Sequence, residues 1–190
     1  NMTQQNMLGL LTVFNCENSH PQGDLVFVHG LAGHPWGTWH PQSKTDNQNV
    51  ELWPFWLGEN LRANGIDINV WSFGYDAPGF QYFGQGMSRF DQASNLLKHL
   101  EVNDIGDRPL IFVTHSLGGL VVKQVIRTAQ SFPQYQAIIE QVQGIIFLST
   151  PHTGTHLANL IKNIGFLTRP TVNVEAVSYT HLRAHETRPN

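Results

Sequence analysis

A chain of 190 residues has the length of one domain with a real core, and its 41% apolar and 13% charged content argues against a disordered chain. A net charge of −3 with no Lys/Arg cluster argues against a nucleic-acid partner. One cysteine, Cys16, leaves no intrachain disulfide framework and fits a reducing compartment.

No apolar run reaches the ~18–20 residues of a membrane span. The first residues lack the basic-then-apolar pattern of a signal peptide, so a cytoplasmic location is the expectation. Asn1 precedes Met2, so the natural start is expected to be missing or offset.

Residues 8–14 predict a first strand, and 15–24 carry turn chemistry. The apolar run 25–28 predicts a buried strand that ends in His29-Gly30. Residues 34–52 are polar and aperiodic, with Trp36 and Trp39 embedded, and predict a long loop. A helix is expected over 53–64, with Pro54 in its first turn, Leu57 and Leu61 on one face, and Gly65 as its stop. A strand over 68–73 and a helix over 87–102 follow, the helix with Phe90, Ala93, Leu97 and Leu100 on one side. The apolar run 110–113 predicts a strand, 117–130 a helix, 134–142 a shorter helix and 144–148 another buried strand. Leu157, Leu160, Ile161 and Ile164 predict a last amphipathic helix. Continuous apolar strands alternating with helices imply an α/β fold: a mostly parallel sheet covered on both faces, with its site at the carboxyl ends of the strands.

Four loops meet at those ends: 29–36, 74–80, 114–119 and 149–155. Ser116 stands between an expected strand and an expected helix, where a sharp turn pushes its hydroxyl clear of the sheet. The elbow pattern G-x-S-x-G reads Thr114-His115-Ser116-Leu117-Gly118, with Thr114 in place of the first glycine. The rival reading makes Ser116 an N-cap of the following helix. His29-Gly30-Leu31-Ala32-Gly33 predicts an oxyanion loop. Its glycines would turn the backbone so that the Leu31 N–H, together with the Leu117 N–H, faces a tetrahedral intermediate. A plain glycine turn is the alternative there. Trp36 and Trp39 are candidates for substrate contact, whereas Trp56 and Trp71 read as core. Asp76 ends a strand placed before Ser116 and reads as a loop-anchoring carboxylate. His34 and His40 have no partner that the sequence names.

Residues 26–39 (VFVHGLAGHPWGTW), 53–54 (WP), 73–77 (FGYDA), 113–123 (VTHSLGGLVVK) and 147–154 (FLSTPHTG) together resemble the α/β-hydrolase superfamily. More narrowly, they resemble a serine esterase/lipase family that includes the phospholipid-remodelling serine-active-site proteins. Similar domains stand at the N-terminus of NACHT-type NTPases. The resemblance runs in order over about residues 8–170 and implies the α/β-hydrolase fold with Ser116 as nucleophile. It also implies that the triad histidine follows the last strand. His152 is then a site-lining or loop-fixing residue, and His29, Gly30 and His115 line the site beside it. No cofactor or metal is required.

Triads in this fold run Ser, acid, His, yet Glu140, Glu175 and Glu186 stand in no suitable context. Residues 177–190 break the pattern and resemble translated sequencing-adapter DNA, so His181 and His185 are set aside. The expectation is a C-terminally truncated hydrolase domain over 1–176 followed by a non-native tail. The acid and base would lie beyond it, and the fragment itself would be inactive. The expected activity is hydrolysis of a lipid-like carboxylic ester, with peripheral membrane contact and downstream domains in the full-length chain. Acyl transfer would use the same residues. An effector domain ahead of a signalling NTPase is the rival from another class, and a downstream P-loop would mark it.

Overall fold

A computed structural model describes residues 7–17, 20–45, 51–75 and 89–150. Asp76, His152, the helix expected over 157–164 and the boundary expected at 176 lie outside the described residues.

Five strands form one sheet in the order β1-β3-β2-β4-β5. They are β1 (Gly9–Phe14), β2 (Asp24–Val28), β3 (Asn69–Gly74), β4 (Leu110–His115) and β5 (Val142–Leu148). β2 pairs in parallel with β3 and β4, and β4 with β5, whereas β1 runs antiparallel along β3. The helices are α1 (Trp53–Ala63), α2 (Arg89–Val102), α3 (Gly118–Ser131) and α4 (Gln136–Gln141).

Alternation along the strands divides the core between the two faces of the sheet. Val26, Val28, Phe73, Leu110 and Phe112 pack with α2 and α3 through Ala93, Leu96, Leu97, Leu100, Val121, Val122 and Val125. The intervening residues Leu25, Phe27, Val70 and Val113 face Trp53, Phe55, Leu57 and Leu61 of α1. α1 ends as Gly65 predicts. Gly65 takes φ +80°, its N–H bonds the Arg62 carbonyl at 2.9 Å, and Ile66 N–H bonds the Leu61 carbonyl at 2.9 Å. This is a Schellman stop.

Several boundaries differ from the sequence expectation, and β5 begins at Val142, where a helix was expected to end. β4 runs on through Thr114 and His115, because Thr114 pairs with Val28 and Phe147, and His115 with Leu148. The short helix begins as a 3-10 turn, Pro133–Tyr135, before α4. At the amino ends of the strands, buried Asp24 holds Arg108 at 2.6 Å and accepts the Trp71 indole N–H at 2.8 Å. That contact ties together β2, β3 and the entry to β4, at the end of the sheet away from Ser116.

Candidate functional site

β4 hands the chain to α3 through Ser116, which takes φ +52°. A serine in the left-handed region costs of order 1–3 kcal/mol and persists only where its surroundings fix it. Here they do. Ser116 N–H donates to the Leu148 carbonyl at 2.8 Å, and the Ser116 carbonyl accepts the Gly119 N–H at 3.2 Å and the Thr150 hydroxyl at 2.9 Å. Leu117, not Ser116, holds the N-cap position of α3, so the capping alternative does not describe this turn. Thr114 fits where a glycine was expected: it is fully buried and its hydroxyl donates to the Ile146 carbonyl at 3.0 Å. Its bulk is spent on joining β4 to β5.

The loop after β2 lies directly on this turn. A Cβ on Gly30 would stand 2.7 Å from Ser116 Cβ and 2.9 Å from the His115 carbonyl oxygen. A Cβ on Gly118 would strike the carbonyl oxygens of Val28 and His29. These glycines permit close approach of two backbones. The positive φ of the loop belongs not to a glycine but to Ala32, at +52°. Gly33 closes the turn as expected: its N–H bonds the Gly30 carbonyl at 3.0 Å, and a Cβ on it would stand 2.8 Å from that oxygen and from His29 Nδ1. Leu31 packs on Leu117 and Leu120, which brings the two predicted donor residues together. Among the described residues neither the Leu31 nor the Leu117 N–H is used by a backbone carbonyl.

His29 is fully buried, its ring stacked on Tyr75 at 4.3 Å, and its carbonyl accepts the Tyr75 hydroxyl at 2.6 Å. Burial lowers the His29 pKa to about 4, so the ring is neutral at pH 7 and its Nδ1–H donates to the Gly30 carbonyl at 3.0 Å. The desolvated Tyr75 phenol is pushed well above its ordinary value. His34 and His40 do have partners. His34 Nδ1 accepts from Trp36 and Gly37 N–H at 3.1 and 3.2 Å, which shapes the 3-10 turn Gly37–Trp39. His40 Nδ1 accepts from Gln42 N–H at 3.0 Å, and its Nε2 lies 3.0 Å from Glu51. His115 is half-buried, with its ring edge-on to Trp39 at 6.3 Å and its pKa lowered by burial.

Beside His115 an open groove of about 370 Å³ is lined by Trp39, His40, Trp53, Trp56 and Leu148, among others. Two tryptophans, Trp36 and Trp56, are placed differently from the sequence expectation. Trp36 is buried in the core with its indole N–H on the Met7 sulfur and does not line the groove. Trp39 is also buried, packed on Phe27 at 5.0 Å, and lines the groove. Trp56, expected inside, is 48% exposed. The stretch 34–45 looks polar and aperiodic, yet it buries both of its tryptophans. Among the described residues no group of three or more His, Cys, Asp or Glu could hold a metal, and no helix is long and apolar enough to cross a membrane.

Residues 25–184 match the model of the alpha/beta hydrolase family. The chain belongs to that family. It is 32% identical over 182 residues to protein SERAC1 of Bos taurus and 30% identical over 182 residues to that of Homo sapiens. Each alignment covers 84% of this chain and 27% of the relative, so the chain spans about a quarter of the length of these relatives. Among solved structures, the mature lipase BlEst2 of Bacillus licheniformis shares the fold, with a TM-score of 0.52 at 21% identity. That match covers 85% of this chain and 53% of the lipase.

Within this alpha/beta hydrolase, sequence reasoning missed Thr150 and Trp56. A side-chain hydroxyl reaching a backbone carbonyl 34 positions away leaves no local signature. Trp56 stands on the same helix as the core residues Leu57 and Leu61, and one aromatic on an amphipathic helix reads as interior until its azimuth is known.

Proposed function

We propose that the full-length protein is a serine esterase or lipase-type hydrolase that cleaves a carboxylic ester of a lipid-like substrate, with Ser116 as nucleophile. The observation that supports this best is a serine at φ +52° between a parallel strand and a helix, under a loop that approaches to within van der Waals limits.

The Ser116 oxygen attacks the acyl carbon and its proton passes to a base. The Leu31 and Leu117 N–H groups receive the charge on the carbonyl oxygen, and they are unspent among the described residues. The ester C–O bond breaks, the alcohol leaves with the proton, and water then releases the acid and restores the serine. The apolar part of the substrate lies in the groove of Trp39, Trp53, Trp56 and Leu148. His29 is neutral and buried, and it shapes the loop. The ring nitrogens of His40 are both engaged, and Nδ1 of His29 and of His34 is committed to the local backbone. In the order Ser, acid, His that this fold uses, the acid and the base follow Ser116 in the full-length protein.

The test is hydrolysis of short- and long-chain p-nitrophenyl esters and of a phospholipid by the full-length protein. Ser116→Ala is expected to lower kcat about a thousandfold or more. Unchanged turnover in that variant would overturn the assignment.

A further inference from the structure

We infer that Thr150 is a positioning residue for Ser116: its hydroxyl holds the Ser116 peptide in the orientation that presents the serine oxygen and the following N–H to the substrate. The inference rests on the reading of Ser116 as nucleophile.

Three observations carry it. First, Ser116 occupies a conformation that an L-residue avoids, so something must hold it there. Its N–H is anchored by the Leu148 carbonyl and its carbonyl by the Thr150 hydroxyl at 2.9 Å, so both ends of the residue are fixed by the strand end that follows β5. Second, Thr150 is buried, at 9% exposure, so its hydrogen bond competes little with water. Third, space for this contact is built into α3. A Cβ on Gly119 would strike the Thr150 hydroxyl and would stand 2.9 Å from the Phe147 ring. The two consecutive glycines thus have separate duties. Gly118 admits the backbone after β2, and Gly119 admits the side chain of Thr150.

The Ser116 carbonyl belongs to the same peptide group as the Leu117 N–H. A bond accepted by that oxygen fixes the plane of the group, and so the direction of the N–H on its other side. Thr150 thereby acts on the nucleophile and on one proposed oxyanion donor through a single bond. Neighbouring Ser149 also takes a positive φ, +53°, which turns the chain so that Thr150 faces back toward Ser116.

The test uses the full-length protein and a fluorophosphonate probe. The Ser116 oxygen bonds to phosphorus, the P–F bond breaks, fluoride leaves, and the serine proton goes to the base. The measured quantity is the labelling rate constant, with the modified peptide identified by mass spectrometry. Thr150→Val keeps the shape and loses the hydroxyl; it is expected to label about ten- to a hundredfold more slowly. Thr150→Ser keeps the hydroxyl and should stay within about threefold of the unsubstituted protein. On an ester substrate the Val variant should lose kcat and keep KM. If Thr150→Val fails to fold, Thr150→Cys is compared with Thr150→Ser, because the thiol is a much weaker donor of similar size. Equal rates for the Val (or Cys) and Ser variants, or a Val variant that labels at the unsubstituted rate, overturn the inference. An unsubstituted protein that takes no label at Ser116 overturns the serine reading itself, and the inference with it.

Discussion

Gly30 and Ser116 stand so close that a single methyl on Gly30 would lie 2.7 Å from the serine Cβ. The nearest other obstacle is the His115 carbonyl, a backbone atom that cannot rotate away. Gly30→Ala must therefore separate the β2 loop from the β4–α3 turn. The expected outcome is a loss of about a hundredfold in ester turnover, with about 1–3 kcal/mol of stability. Steady-state kinetics and a urea titration of the same variant check both, and normal turnover would show that the contact does not shape the site.

Much of this was legible in the chain itself. Apolar runs and 3.6-residue spacing located the strands and helices, and the Ser116 break stood out because a strand signal gave way at once to a helix signal. What was not legible depended on partners distant in sequence. Thr114 and His115 look like the end of a strand until β2 and β5 are known to pair with them. The glycines after His29 look like turn formers, and Gly30 and Gly33 do close a turn, yet its positive φ falls on Ala32 and Gly30 also makes room for Ser116. Trp36 sits in a polar stretch and is buried because its indole N–H finds the Met7 sulfur. No periodicity could report any of these.

Trp56 is 48% exposed on the rim of the groove, so removing its ring should cost little stability. Trp56→Ala is expected to lower kcat/KM for a long-chain ester about tenfold while an acetyl ester stays within about twofold. Equal losses on both substrates would detach the groove from acyl binding.

His29 gives the fold a pH dependence whose sign is fixed. Its folded pKa is about 4, against 6.5 for an unburied ring, so between those values the unfolded chain binds more protons. Stability from this group is complete above about pH 6.5 and falls as the pH drops toward 4, by about 3 kcal/mol in total. Urea midpoints at pH 7 and pH 4.5 should diverge more for the unsubstituted protein than for His29→Gln. Parallel behaviour of the two would contradict a buried neutral ring.

Among the described strands β5 is an outer one, and Ile146 on it is 48% exposed. An apolar strand in that position invites pairing with another copy. Ile146→Lys is expected to raise the monomer fraction in size-exclusion chromatography. An unchanged monomer fraction in that variant would contradict this.

The account turns on Ser116, and the most direct measurement is where a fluorophosphonate attaches to the full-length protein. A single phosphonylated peptide containing Ser116, absent from Ser116→Ala, is the result expected. A label that survives Ser116→Ala, or that maps to another residue, would contradict the central claim.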